Sequence, residues 1–350
     1  MLFLPRQPLD DIDDLRAALQ NALALEFSTI PPYLTALYSI RPIRPGVNAA
    51  AAAIIRSVVM EEMLHLSLVG NILNAVGGRP ALAATVPQYP GPLPMGIGDQ
   101  PGHPFIVPLK RLSRDLVRDV FMVIEEPEHP LEFPEVRATF LPEEFHTIGE
   151  FYAAVASLLT ELGPTVFTGH ADRQVTGWIG PHEITRVIGP DSAQDAITLI
   201  VDQGEGTATS PASGPESLAH YYRFEQIQKG ETLTPDTAAG DGYAWGDPVI
   251  PLDEDGVWPM VDNPPLVPLP AGSDAARLSD QFDGIYTVLV DELQATFDGQ
   301  PQRLGSAVAQ MHALRLQSQR MLPVPLPGRE TETIGPRIHY GHAAAPVSGD

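Results

Sequence analysis

The sequence predicts an all-α protein: a four-helix bundle with long irregular insertions and two additional C-terminal helices. Two observations carry this. Apolar residues recur at steps of three and four in several separate segments, the period of a helix face. The 37 prolines among 350 residues are about twice the average usage, and they crowd into the stretches between those segments.

The first segment spans about 10–40, where Leu15, Leu19, Ala22, Glu26, Ile30, Tyr33 and Leu37 form one stripe. Pro31 and Pro32 lie inside it and are expected to kink the helix or tighten one turn. A second helix, about 49–76, is expected to take Asn48 as its N-cap and to stop at Gly77-Gly78. Its stripe reads Val58, Glu62, His65, Val69, Ile72, Val76. Residues 80–142 read as an insertion with one short helical pattern around Leu112–Ile124. The third core helix covers about 145–162. The fourth covers about 192–229 and breaks at Gln203-Gly204-Glu205-Gly206. An irregular arm and two further amphipathic helices fill 230–322, and 323–350 reads as an extended tail. We expect one domain over 1–350.

Composition narrows the class. Lys+Arg 21 against Asp+Glu 44 gives a formal charge of −23, which argues against nucleic-acid and anionic-membrane partners. The hydrophobic fraction of 43% against 19% charged is globular rather than disordered. With no cysteine, disulfide frameworks, thiolate metal sites and cysteine nucleophiles are excluded. No basic, apolar N-terminal leader and no bilayer-spanning run is visible, so the expected location is cytoplasmic. A small-molecule substrate is the expected partner, and homo-oligomer assembly is left open.

The informative oddity is charge where the helical pattern demands hydrocarbon. Glu62 and His65 interrupt a stripe of valine and isoleucine and, three apart, share one face. Burying an unpaired carboxylate is costly, and a hard divalent ion removes that cost. Glu26 repeats the anomaly on the first helix. Glu150 lies on the third, and the fourth offers Glu205 at its break and His220 beyond it. The order Glu, Glu-x-x-His, Glu, then Glu and His is the ligand inventory of a carboxylate-bridged dimetal site in a ferritin-like bundle. Two divalent ions would balance those four carboxylates. Oxygen and nitrogen donors without sulfur point to two transition-metal ions: iron first, with manganese or zinc as alternatives. On the fourth helix Glu216, four before His220, could geometrically replace Glu205. Glu205 is preferred, because flanking glycines let its backbone approach a metal and because Glu216 opens the resumed helix after Pro215. The run Glu125-Glu126-Pro127-Glu128-His129 reads as an exposed acidic loop, and His103, His170, His182, His339 and His342 have no spaced partner.

Five segments then occur in one order: Glu26-Phe-Ser-Thr-Ile-Pro-Pro-Tyr-Leu, Glu61-Glu-Met-Leu-His65-Leu, Ile148-Gly-Glu-Phe-Tyr152, Gln203-Gly-Glu-Gly206 and His220-Tyr-Tyr-Arg-Phe224. The chain resembles the ferritin-like domain of the iminophenyl-pyruvate dimer synthase family of bisindole pathways, from about residue 10 to Tyr340. That resemblance implies a dimetal ferritin-like core and, as the best-known activity nearby, oxidative coupling of imines of aromatic α-keto acids. The expected function is therefore oxidation or coupling of a small aromatic or keto-acid-derived molecule with O2 or peroxide. Ferroxidase activity and a non-enzymatic metal scaffold are the alternatives.

Overall fold

The computed structural model describes residues 11–42, 46–100, 102–127, 147–204, 206, 211–214, 217–236, 239 and 242–341. Among these the fold is helical, with short two-stranded pairs in the connections. Helix α1, Ile12–Ser39, starts where Asp11 accepts hydrogen bonds from the Asp13 and Asp14 amides. It runs through Pro31 and Pro32 without interruption. Pro32 has no N–H for the Ser28 carbonyl, and the Tyr89 hydroxyl donates to that oxygen at 2.6 Å instead. The insertion thus supplies the donor that the proline removes.

Helix α2, Ala49–Ala75, packs along α1. Its stop is the expected one: Gly77 has φ +73°, its N–H bonds the Asn74 carbonyl, and Gly78 N–H bonds that of Leu73, a Schellman ending. Its start is not. Asn48 makes no side-chain cap; instead its amide donates to the Asp253 carbonyl at 2.9 Å and accepts from the Asp253 N–H at 2.8 Å. Asn48 therefore clips the C-terminal arm to the bundle.

Helix α3 spans 114–124 and is composite: Arg114–Leu116 is α, Val117–Phe121 is π and Met122–Ile124 is α. Helix α4, Ile148–Leu162, is capped by Thr147. The fourth core segment is two helices rather than one broken one. Helix α5 runs Pro190–Gly204 and α6 runs His220–Lys229, with the strand pair Ala212–Gly214 and Ser217–Leu218 between them. Helices α4 and α5 pack together, α4 also touches α1, and α2 meets both α5 and α6.

Helices α7, Asp274–Phe297, and α8, Leu304–Met321, pair with each other. At Gly70 of α2 the helix α7 comes close: a Cβ there would stand 2.7 Å from the Phe297 ring. The tail is extended in part as a paired hairpin, with Pro325–Leu326 antiparallel to Arg329–Thr333. Beyond that pair Ile334 and Ile338 are buried and Arg337 bonds Asp283, so the tail is docked along α7. One apolar cluster runs through the bundle, the insertion and α7–α8. No described helix is long and apolar enough to cross a membrane.

Candidate metal centre

Six segments converge on a buried polar cluster. Helix α1 contributes Glu26, Thr29 and Tyr33, which share one face by their spacing of three and four. Helix α2 contributes Glu61, Glu62 and His65. The end of α3 brings Glu125, α4 brings Tyr152, α5 brings Gln203, and α6 opens with His220. Glu26, Glu62, His65, Glu125 and His220 are all buried, His220 completely.

Their donor atoms fall into two groups that share Glu62: Glu26/Glu62/His65 and Glu62/Glu125/His220, each within 4.8 Å. His65 Nδ1 lies 3.5 Å from Glu26 Oε2 and 3.7 Å from Glu62 Oε1. His220 Nδ1 lies 2.9 Å from the same Glu62 Oε1 and 3.5 Å from Glu125 Oε2. The two imidazoles stack with centroids 5.5 Å apart.

Every other polar atom of this inner set has a partner that fixes it. Tyr152 donates to Glu26 Oε1 at 2.5 Å, Thr29 to Glu62 Oε2 at 2.5 Å, and Tyr33 to Glu125 Oε1 at 2.6 Å. Each carboxylate thus has one oxygen tied to a hydroxyl and the other turned towards the imidazoles. His65 Nε2 meets Gln203 Oε1 at 2.8 Å, and His220 Nε2 meets Glu61 Oε2 at 2.8 Å. Both of those oxygens accept, so Nε2 carries a proton, and in the neutral ring Nδ1 presents its lone pair.

That lone pair supplies the test of fit. His220 Nδ1 is buried and makes no hydrogen bond, although carboxylate oxygens stand 2.9 and 3.5 Å away. Lone pairs facing one another in a buried site repel unless a proton or a metal cation sits among them. Oxygen and imidazole donors around such a point suit iron, manganese or zinc, and outward Nε2–H groups bonded to a carboxylate or amide are how metal-binding histidines are held. The residues present therefore fit a metal pair.

Without an ion, protons answer the same field. Burial works against a charged His220 ring, but Glu125, Glu61 and Glu62 outweigh it and raise its pKa well above the usual value. His65 is raised in the same way, with burial opposed by Glu26 and Glu62. Burial and then Glu125 push Glu62 up, against the pull of His220. Glu61 goes the other way: despite its burial, His220 and Arg223 hold it down to about 2. Arg223 Nη2 stands 2.9 Å from Glu61 Oε2.

The expected residues divide. Glu26, Glu62, His65 and His220 are brought together. Glu205 and its rival Glu216 lie outside the described residues. Glu150 belongs to neither group; it is half-buried in the first turn of α4, where its N–H is capped by Thr147 Oγ1 at 3.1 Å. On α4 it is Tyr152, two residues on, that reaches the cluster. Glu125, expected in an exposed loop, is 3% exposed and stands opposite Glu62. Its signal was present: Val117, Phe121 and Glu125 step by four, so it continues an apolar stripe just as Glu62 does. The π stretch Val117–Phe121 ends one turn before it, a type of irregularity often found at functional sites. His182, expected without a partner, has Nε2 3.3 Å from Glu61 Oε1.

A family model described as Ferritin-like matches residues 19–229. The chain belongs to the ferritin-like family. The matched span begins in α1 and ends with α6, so it contains every residue of the cluster. A solved structure described as a ferritin-like protein from Caulobacter vibrioides is similar along the full length. Its TM-score is 0.63 at 26% identity, covering 96% of this chain and 100% of that one. No curated protein sequence matches the chain.

Proposed function

We propose that this ferritin-like protein is a dimetal oxidase. It would hold two transition ions, iron first, and oxidise or oxidatively couple a small aromatic or keto-acid-derived molecule with O2 or peroxide. One observation carries the reading: Glu62 Oε1 faces the Nδ1 atoms of both His65 and His220, the placement of a carboxylate shared by two ions. Glu26 and His65 would complete one half, Glu125 and His220 the other. Glu205, next in sequence after α5, is proposed as a further ligand; the preceding Gly204 supports this, since a Cβ there would lie 3.8 Å from Glu125 Oε2.

When bound, a metal pair supplies two adjacent Lewis-acidic, redox-active centres that can act on one oxygen molecule. The chain does the rest. Thr29, Tyr33 and Tyr152 hold one oxygen of each carboxylate, so the other is oriented before an ion arrives. Burial raises Tyr33 and Tyr152 far above the usual phenol range, with Glu125 and Glu26 respectively adding to it, so both remain neutral donors. Gln203 and Glu61 fix the histidine tautomers. Beside Glu125 the wall is aromatic: Tyr33 packs edge-on to Phe121 at 4.7 Å and against Phe224 at 5.1 Å. These rings close that side of the cluster, and the resemblance to iminophenyl-pyruvate dimer synthases points to imines of aromatic α-keto acids as substrate.

Reconstitution with Fe(II), followed by elemental analysis and aerobic assay with such imines, tests the reading. The expected result is about two irons per chain with consumption of the imine. Uptake of many irons per chain with no organic turnover would replace it with iron handling.

A further inference from the structure

The two halves of the cluster match in their inner atoms and differ in what stands behind them. Behind His65 is the neutral amide of Gln203, with Oε1 2.8 Å from Nε2. Behind His220 is the carboxylate of Glu61, also at 2.8 Å. Arg223 contacts Glu61 at 2.9 Å and otherwise bonds the Leu218 carbonyl, Ser217 and Ser57. It thereby keeps Glu61 an anion, while the charge nearest the imidazole remains negative.

From this asymmetry we infer that the two metal subsites are unequal and fill in order. The Glu62/Glu125/His220 subsite takes the first ion, because Glu61 backs its histidine with a charge where Gln203 offers only a dipole. The inference rests on the dimetal reading above and makes Glu61 and Gln203 positioning residues. An imidazole whose outer N–H donates to a carboxylate is a more basic ligand, and such partners typically change metal affinity by about 10–100-fold. Geometry points the same way. His220 Nδ1 stands 2.9 and 3.5 Å from its facing carboxylate oxygens, against 3.5 and 3.7 Å for His65, so the first subsite is the more closely gathered before any ion arrives.

Titration of the metal-free full chain with Co(II), followed by calorimetry and visible absorption, tests this without any assay of turnover. The wild type should bind two ions in separate steps, the first at least ~10-fold tighter. His220→Ala should abolish the tight step and His65→Ala the weak one. Glu61→Gln should weaken the tight step by about 10–100-fold, so that the two steps merge while two ions still bind. Gln203→Glu should strengthen the weak step, and it carries the same comparison if Glu61→Gln does not fold. Two ions of equal affinity in the wild type would overturn the order and leave the dimetal reading standing, as would a tight step that survives His220→Ala. A wild type that binds no Co(II) would overturn both.

Discussion

Two helix pairs in this molecule bury acids, and they do it in opposite ways. In α7 and its surroundings each buried acid has an arginine. Asp283 accepts from Arg337 Nε at 2.8 Å, and Glu292 accepts from Arg303 Nε at 2.7 Å. In α1–α2 the acids Glu26 and Glu62 face two histidines and a third acid, Glu125, and none of the three has a lysine or arginine partner among the described residues. Only Glu61, on the rim of that cluster, has Arg223. The comparison separates structural acids from candidate ligands: both are buried, but only the second kind lacks a fixed cation. Burial of charge by itself identifies neither.

The largest effect should come from the residue common to both halves. Glu62→Ala removes the shared oxygen, and metal content of reconstituted protein should fall from about two ions per chain to nearly none. Far-UV circular dichroism should stay helical, because alanine suits a helix interior. The matching change in the other region, Glu292→Ala, should leave metal content untouched. If Glu292→Ala also emptied the protein, the distinction between the two kinds of acid would fail.

Removing a cation instead of an acid reverses the picture. Arg337→Met leaves the buried Asp283 without its arginine, with the His339 N–H at 3.4 Å still in place, and should cost about 1.5–3 kcal/mol of stability, the scale of a hydrogen bond to a charged group. Denaturant unfolding reads this directly, and the metal content should not change. Loss of an ion with no loss of stability would show that α7 feeds the metal centre rather than the scaffold.

The cluster without ions should also respond to pH in a way the α7 pairs do not. His65 and His220 have raised folded-state pKa values. Their stabilisation is therefore complete below about 6.5, the unfolded value, and is lost as pH climbs through the folded values. Glu62, also raised, acts in the same direction: its contribution is present at low pH and disappears as pH rises through its elevated pKa. The thermal midpoint of metal-free protein should thus fall from about pH 6.5 upward. Added metal, which competes with protons for the same atoms, should stabilise the protein more as pH rises. A metal-free midpoint that is flat between pH 6.5 and 8.5 would remove the electrostatic basis for the cluster.

Much of this was legible in the sequence, for a local reason. Glu26, Glu62 and His65 break apolar stripes on single helices, and a stripe is visible over a dozen residues. The Schellman stop of α2 was equally local. What escaped was set by partners far along the chain. Asn48 looked like a cap but is claimed by Asp253, and the carbonyl that Pro32 leaves without a donor is claimed by Tyr89. Glu61 and Gln203 work through the outer nitrogens of His220 and His65, more than a hundred positions away in each case. Glu125 was hidden differently, because Pro127 and the neighbouring acids made a buried stripe residue look like loop.

The smallest effect, and the one that sharpens the comparison most, is at Glu150. By order along the chain it is the third-helix carboxylate that a dimetal inventory calls for, yet Glu125 occupies the place facing Glu62 and His220. In Thr147-Ile148-Gly149-Glu150 the Thr147 hydroxyl accepts from the Glu150 N–H, the arrangement of a capping box, which glutamine supports as well as glutamate. Glu150→Gln should therefore weaken the attraction of a carboxylate for a helix N-terminus, about 0.3–1 kcal/mol, and should keep two ions. Glu125→Gln, assayed beside it, should lose the His220-side ion and leave the other. The reverse pattern, metal lost with Glu150→Gln and retained with Glu125→Gln, would return Glu150 to the ligand set and make Glu125 a structural acid held by Tyr33 and His220 without a fixed cation, so that the lack of an arginine would no longer mark a ligand.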